Sequence, residues 1–275
     1  MITERSQRWR ERRSRFVDDT SVIDPRLYAV DLVAPEAARA FVAHHHYLAT
    51  YPAAHLAAGL FGPGAGGRSE LVGVAVFGVP AAAAVITAHS GFAEAERGCV
   101  LARLLCLPSV AGNGESFFVA RAFRLLRRER PRLEAVVSYS DPRFGHVGQV
   151  YAALSGAYRG ISRPRTVWRV GATTVSERAL SKIRGHERGA GGAIDRLVAL
   201  GMPAPLRGED PACWLDRLKA SGRLTREHQA GLFTYCFELT RAARAQGRPL
   251  PRLAYPRPEA AWRRAAIIAD PPAGA

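Results

Sequence analysis

The stretch Glu134-Ala135-Val136-Val137-Ser138-Tyr139-Ser140-Asp141-Pro142-Arg143-Phe144-Gly145-His146-Val147-Gly148 decides how the rest of the chain is read. Its first half is a short valine-rich run, the signature of a buried strand. The strand ends in small hydroxyls, an acid before proline, and a histidine flanked by glycine. Polar groups at the carboxyl end of a core strand sit where open α/β sheets bind ligands. Asp141 is placed there to accept a proton from an amine or to polarise a nucleophile. The plainer alternative is a turn in which Asp141-Pro142 caps the loop.

Working outward, the apolar run Val100–Leu107 carries one charge, Arg103, which needs a partner or a ligand. Asp141, Glu115 and a substrate are the alternatives for that role. The turn Ser109–Gly114 leads into a helix from about Glu115 to Arg130, stopped by Pro131. Further upstream, Leu27–Ala34 reads as a strand and Pro35-Glu36 opens a helix towards His44. Leu56–Phe61 and Leu71–Val79 read as a hairpin across the glycine-rich turn Gly62–Gly67. A short helix around Gly148–Leu154 and a strand pair through Tyr158–Val170 follow the central stretch. The order predicts an α/β (α+β) fold with an open mixed sheet and a central helix after the fourth strand, as in the GNAT acyltransferase fold.

After Gly171, Val175–Gly185, Ala193–Leu200, Asp210–Ala220 and Thr225–Ala245 read as helices separated by glycine and proline. The expected organisation is a basic arm over 1–24, partly helical, and a catalytic domain over 25–170. A helical appendage over 171–254 and an irregular proline-rich tail over 255–275 complete it.

Lys and Arg number 39 against 24 Asp and Glu, a formal charge of +15, with a pI near 10.7. All but Lys182 and Lys219 of these cations are arginine. A GC-rich genome explains arginine over lysine but not base over acid, and an excess of this size suits a polyanion such as nucleic acid. No run of 18 apolar residues exists, which predicts no spanning helix, and the arginine-rich start lacks the apolar core of a secretion signal. Cys99, Cys106, Cys213 and Cys236 form no CxxC pair, the pattern of reduced, buried thiols in a cytoplasmic protein.

Gly112-Asn113-Gly114-Glu115-Ser116 joins a strand to a helix, where free amides and the helix dipole favour an anion. Gly112, Asn113, Gly114 and Ser116 are thus the candidate cofactor contacts, against a plain helix start capped by Asn113. Arg121, Arg124 and Arg128 recur at i, i+3 and i+7 on the outer side of that helix, either as a solvated face or as a ridge tracking phosphates. His44-His45-His46-Tyr47 ends the first helix. Adjacent histidines point in different directions, so no single metal site arises. No ligand spacing supports iron, although a catalytic iron held by His and Asp is conceivable.

Taken together, these segments resemble the Mom family of phage DNA-modification proteins. The resemblance rests on His46-Tyr47, the strand beginning Leu71-Val72-Gly73-Val74, Arg103-Leu104 and Asn113-Gly114-Glu115-Ser116 before Ala120–Leu126. Above all it rests on Val137–Pro142 with Gly145-His146-Val147-Gly148 and Tyr151, and it extends through Leu180–Arg184. It implies a GNAT-like fold that transfers a carbamoylmethyl group to N6 of adenine in DNA, protecting phage DNA from restriction. It implies Asp141, Tyr47, His46 and Arg103 as catalytic residues. Tyr139, Ser140, His146, Tyr151, Arg121, Arg124, Lys182 and Arg184 are the residues expected around substrate and DNA. An acyl-CoA-type donor follows by analogy of fold, but the loop departs from the usual GNAT phosphate-binding pattern and leaves the donor open. An ordinary acetyltransferase and a non-catalytic DNA-binding relative are the alternatives.

Overall fold

The computed structural model describes residues 5–10, 13–18, 22–46, 50–64, 68–171 and 173–257, with the backbone alone for the first two segments. In chain order the elements are β1 (Arg5–Arg10), β2 (Arg13–Asp18), β3 (Ala29–Leu32), α1 (Pro35–His45), β4 (Ala54–Pro63), β5 (Ser69–Gly78) and α2 (Ala83–Ser90). Next come β6 (Gly98–Cys106), α3 (Gly114–Glu129), β7 (Ala135–Ser140), α4 (Gln149–Ala153), β8 (Ala157–Ile161), β9 (Arg165–Val170) and β10 (Thr173–Val175). The chain ends with α5 (Glu177–Arg184), α6 (Ala190–Ala199), α7 (Pro211–Ala220), β11 (Thr225–Gln229), β12 (Phe233–Glu238) and α8 (Arg241–Gln246).

Two units result, Met1–Ile161 with Leu232–Ala275, and Ser162–Gly231. The first holds an open seven-stranded sheet of order β3-β4-β5-β6-β7-β12-β8. Its neighbours are antiparallel except β6 and β7, which run parallel. That exception follows from the helix between them, since a parallel return needs a crossover connection.

Alternation along the strands gives the sheet two apolar faces. Ala57, Val74, Val76 and Leu105 meet Ala38 and Val42 of α1, and Val137 and Cys236 meet Ile86 of α2. On the other face Ala75, Phe77, Leu101 and Val136 meet Phe118, Val119, Ala122, Leu125 and Leu126 of α3. These α3 positions follow the helical period, which leaves Arg121, Arg124, Arg127 and Arg128 exposed. Each large apolar side chain so buried contributes about 1.5–3 kcal/mol.

The second unit is inserted between β8 and β12. It pairs β9 with β10 and β11 and builds a separate core around Trp214, Leu180, Ile183, Leu197, Leu215 and Leu218. Asp210 caps α7 through Ala212 N at 2.8 Å, with Pro211 in the first turn, and Ser176 caps α5.

Several expectations are corrected. Thr225–Ala245 is not one helix but β11, β12 and the short α8. Phe233, Tyr235 and Phe237 all lie in the main core while Cys236 lies in the other cluster, a period of two that a helix cannot give. Tyr158–Val170 does not form a strand pair. β8 joins β12 in the large sheet and β9 joins the small one. Helix α2 was missed because Ala83–Ser90 carries no amphipathic period. Residues 5–10 and 13–18, expected as partly helical, form an antiparallel pair with Arg10 opposite Arg13. Cys213 is exposed rather than buried, whereas burial raises the Cys99 and Cys236 thiols to about 12.

Candidate active site

The β6–β7 ladder begins at Gly98–Ala135 and ends at Leu101–Ser138. Both strands continue past that last rung, β6 to Cys106 and β7 to Ser140. A register shift at Ala102, between the rungs Leu101–Phe77 and Arg103–Val76, turns β6 at the same level. The only parallel pair of strands among the described residues therefore parts at its carboxyl end, where α/β sheets take ligands.

Ser138 and Ser140 stand two residues apart on one face at this point, with relative exposures of 0% and 5%. Among the described residues, neither Oγ has a hydrogen-bond partner. A buried hydroxyl without a partner costs about 1–3 kcal/mol, and two stand together where the strand pair parts. Ser140 is among the residues expected around the substrate. In the sequence Ser138 reads only as a small hydroxyl at the strand end, because an unsatisfied atom shows only in three dimensions.

Asp141 follows directly and is 6% exposed. It caps the 3-10 turn Pro142–Phe144, accepting from Arg143 N at 3.0 Å. Arg143 also reaches both carboxylate oxygens, Nε to Oδ1 at 3.0 Å and Nη2 to Oδ2 at 2.5 Å. Capping turn and buried carboxylate thus coexist. Two parallel N–H bonds fix the plane of the carboxylate, and the Arg143 charge offsets its burial. Arg143 was not singled out from sequence, since an arginine after Asp-Pro is no signal by itself.

The loop then folds back. Gly145 (φ 72°) and Gly148 (φ 76°) take left-handed conformations, and His146 N donates to Asp141 O at 3.3 Å. The His146 ring lies edge-on to Phe144 at 6.4 Å. Burial holds its pKa below the ordinary value while the Asp141 charge opposes the shift. Tyr235 of β12 donates from its hydroxyl to Val147 O, and a Cβ on Gly148 would stand 2.4 Å from the Tyr235 ring. Tyr235 is the second positioning residue that the sequence reading missed, hidden in a segment expected to be helical. Tyr151 packs at 5.3 Å from Tyr235 inside the core. Tyr139 points to the opposite face, towards α2, and burial raises its pKa.

Arg103 occupies the β6 side of the parted strands. Its guanidinium donates to Thr50 O at 2.6 and 3.1 Å, to Thr50 Oγ1 at 3.0 Å and to Ala102 O at 2.7 Å. His46 is 6% exposed and closes α1, with N–H to Val42 O. Arg103 thus ties β6 to Thr50. Tyr47 lies outside the described residues.

The loop before α3 is laid out differently from the expectation. Asn113 (φ 64°) holds the cap position, but its side chain caps nothing. Its carbonyl accepts from Phe117 N and Ser116 Oγ, and Gly114 N goes to Ala111 O. Val22 pairs with Gly112, whose carbonyl accepts from Ile23 N at 2.9 Å. With Glu115 in the first turn, this loop fits a pyrophosphate poorly.

Arg121 stacks on Phe117 at 5.3 Å, and Arg124 lies a turn further from the α3 start. Lys182 and Arg184 belong to α5 in the inserted unit, where Arg184 pairs with Glu177 at 3.6 Å. Among the described residues no three His, Cys, Asp or Glu side chains are grouped to hold a metal.

No curated protein matches this chain. The model of the Mom protein family matches residues 27–195, from the approach to β3 into α6. That span takes in the parted strands, Asp141 and the glycine-bent loop, though it stops short of Tyr235. The chain belongs to the Mom protein family.

Proposed function

We propose that this chain modifies adenine in DNA, joining a carbamoylmethyl-type group to N6 in the crevice where β6 and β7 part. Family membership implies phage DNA modification, and the +15 charge suits a DNA partner. A GNAT-like reading draws support from the single parallel pair and the central helix α3 that links it. The observation that carries the proposal is the buried Asp141 carboxylate beside two unpartnered serine hydroxyls, at the end of the parallel ladder.

A duplex hides N6, so the base has to leave the stack to reach such a crevice. Asp141, held in plane by Arg143, accepts a hydrogen bond from the amine and takes its proton as the new N–C bond forms and the donor's carrier leaves. Ser138 and Ser140 supply hydroxyls to the incoming polar group. His146, kept neutral by burial, backs the loop beside Asp141, whereas Tyr139 lies on the opposite face of β7. Arg103 holds Thr50 beside β6. Adenine N6 is a weak nucleophile, so much of the rate rests on this positioning.

Mass spectrometry of nucleosides from cells expressing the chain tests the reading. It predicts a deoxyadenosine heavier by the transferred group and DNA resistant to enzymes that cut at adenine. An unaltered adenine pool in cells holding the folded protein would contradict it.

A further inference from the structure

At the other end of the sheet, the last two turns of α3 face β12 and α8 across a groove. Arg124, Arg127 and Arg244 rim a cavity of about 310 Å³ floored by Phe123 and Phe237. A second depression of about 360 Å³ shares Arg124 and Arg127 and runs on past Arg128 to Leu133 and Thr240. The groove is therefore continuous along α3.

Its charge is one-sided. The carboxylates in or beside it already have arginines, Glu134 with Arg97 at 2.5 Å, Glu238 with Arg159 at 2.8 Å and Glu129 with Arg128 at 2.8 Å. Arg244 is a remote second partner of Glu238, at 3.8 Å. Arg124 and Arg127 have no hydrogen bond or ion pair with any described residue. Uncompensated guanidiniums over an apolar floor, in a groove open along its length, fit an extended chain of phosphates.

The groove borders Leu133, Glu134 and Glu238, at the amino end of β7, whereas Asp141 follows its carboxyl end. Six residues of strand separate them, about 20 Å. That distance equals roughly six base pairs of duplex rise.

We propose that the α3–α8 groove is a clamp for the DNA backbone, gripping the duplex about six base pairs to one side of the base that enters the crevice. The clamp rests on the reading of Asp141 only for that spacing, not for its affinity.

The test is the salt dependence of duplex binding by the full chain and by the variant Arg124→Gln/Arg127→Gln/Arg244→Gln. Each lost phosphate contact removes about 0.9 from the slope of log affinity against log salt. The glutamine variant is expected to lose about two to three from the slope and more than ten-fold in affinity at low salt. The corresponding lysine variant keeps the slope, which separates lost charge from misfolding. Hydroxyl-radical footprinting should show a protected backbone patch about six base pairs from the modified adenine, missing only in the glutamine variant. An unchanged slope overturns the clamp, as does an acidic peptide or single-stranded RNA that displaces duplex DNA at equal concentration. A changed slope with no adenine product in any variant keeps the clamp and defeats the Asp141 reading instead.

Discussion

The two ends of β7 handle polar groups in opposite ways. At the carboxyl end the charges are matched, Asp141 with Arg143 and Arg103 with Thr50, and what lacks partners is neutral, the hydroxyls of Ser138 and Ser140. At the amino end the carboxylates are matched, and what lacks partners is charged, Arg124 and Arg127. Unmatched charge in water attracts a polyanion at little cost. Unmatched hydroxyls out of water cost stability and are tolerated where something polar arrives. Under the two proposals above, chemistry falls to the first end and grip to the second.

The largest effect should come from Asp141. Asp141→Asn keeps the shape but removes the proton acceptor, and modified adenine in expressed cells should fall at least about a hundred-fold while duplex affinity holds. Equal losses of both would erase the division between the two ends. Next comes the loop. Gly148→Ala must place a Cβ 2.4 Å from the Tyr235 ring at a left-handed φ, at a cost of about 2–4 kcal/mol by chemical denaturation. A loss below about 0.5 kcal/mol would mean that Tyr235 does not pin the loop.

Ser138→Ala sharpens the comparison. Removing an unpartnered buried hydroxyl should leave stability unchanged or raise it by up to about 1 kcal/mol, yet product formation should drop several-fold. A variant that gains stability and keeps full product yield would make the hydroxyl a packing accident. The smallest effect is a pH response. The folded pKa of His146 lies below its ordinary 6.5, so the neutral ring is the native form. Its contribution is complete above about pH 6.5 and is lost as pH falls from there through the folded value. Denaturation midpoints of His146→Gln should decline less steeply below pH 6.5 than those of the parent protein.

Much of this was legible in the residues. The valine run into Ser-Asp-Pro located β7 and its polar terminus, because the two are written side by side. The helical period of Phe118, Ala122 and Leu125 gave α3 and set its arginines outward. What escaped lies far apart in sequence. Tyr235 approaches Gly148 across 87 positions, and only the pairing of β12 between β7 and β8 makes the contact. Phe233–Phe237 alternates like a strand but sits among helix-forming neighbours, so local pattern and fold disagree there. Arg103 was recognised as needing a partner, yet that partner is the main chain of Thr50, which no charge pattern reveals.

Photocrosslinking tests the central division most directly. A duplex carrying a photoreactive adenine analogue at the modified position is irradiated with the protein, and the attached peptide is mapped by mass spectrometry. The account predicts attachment within residues 138–148. Attachment confined to α3, α8 or the inserted unit would contradict it.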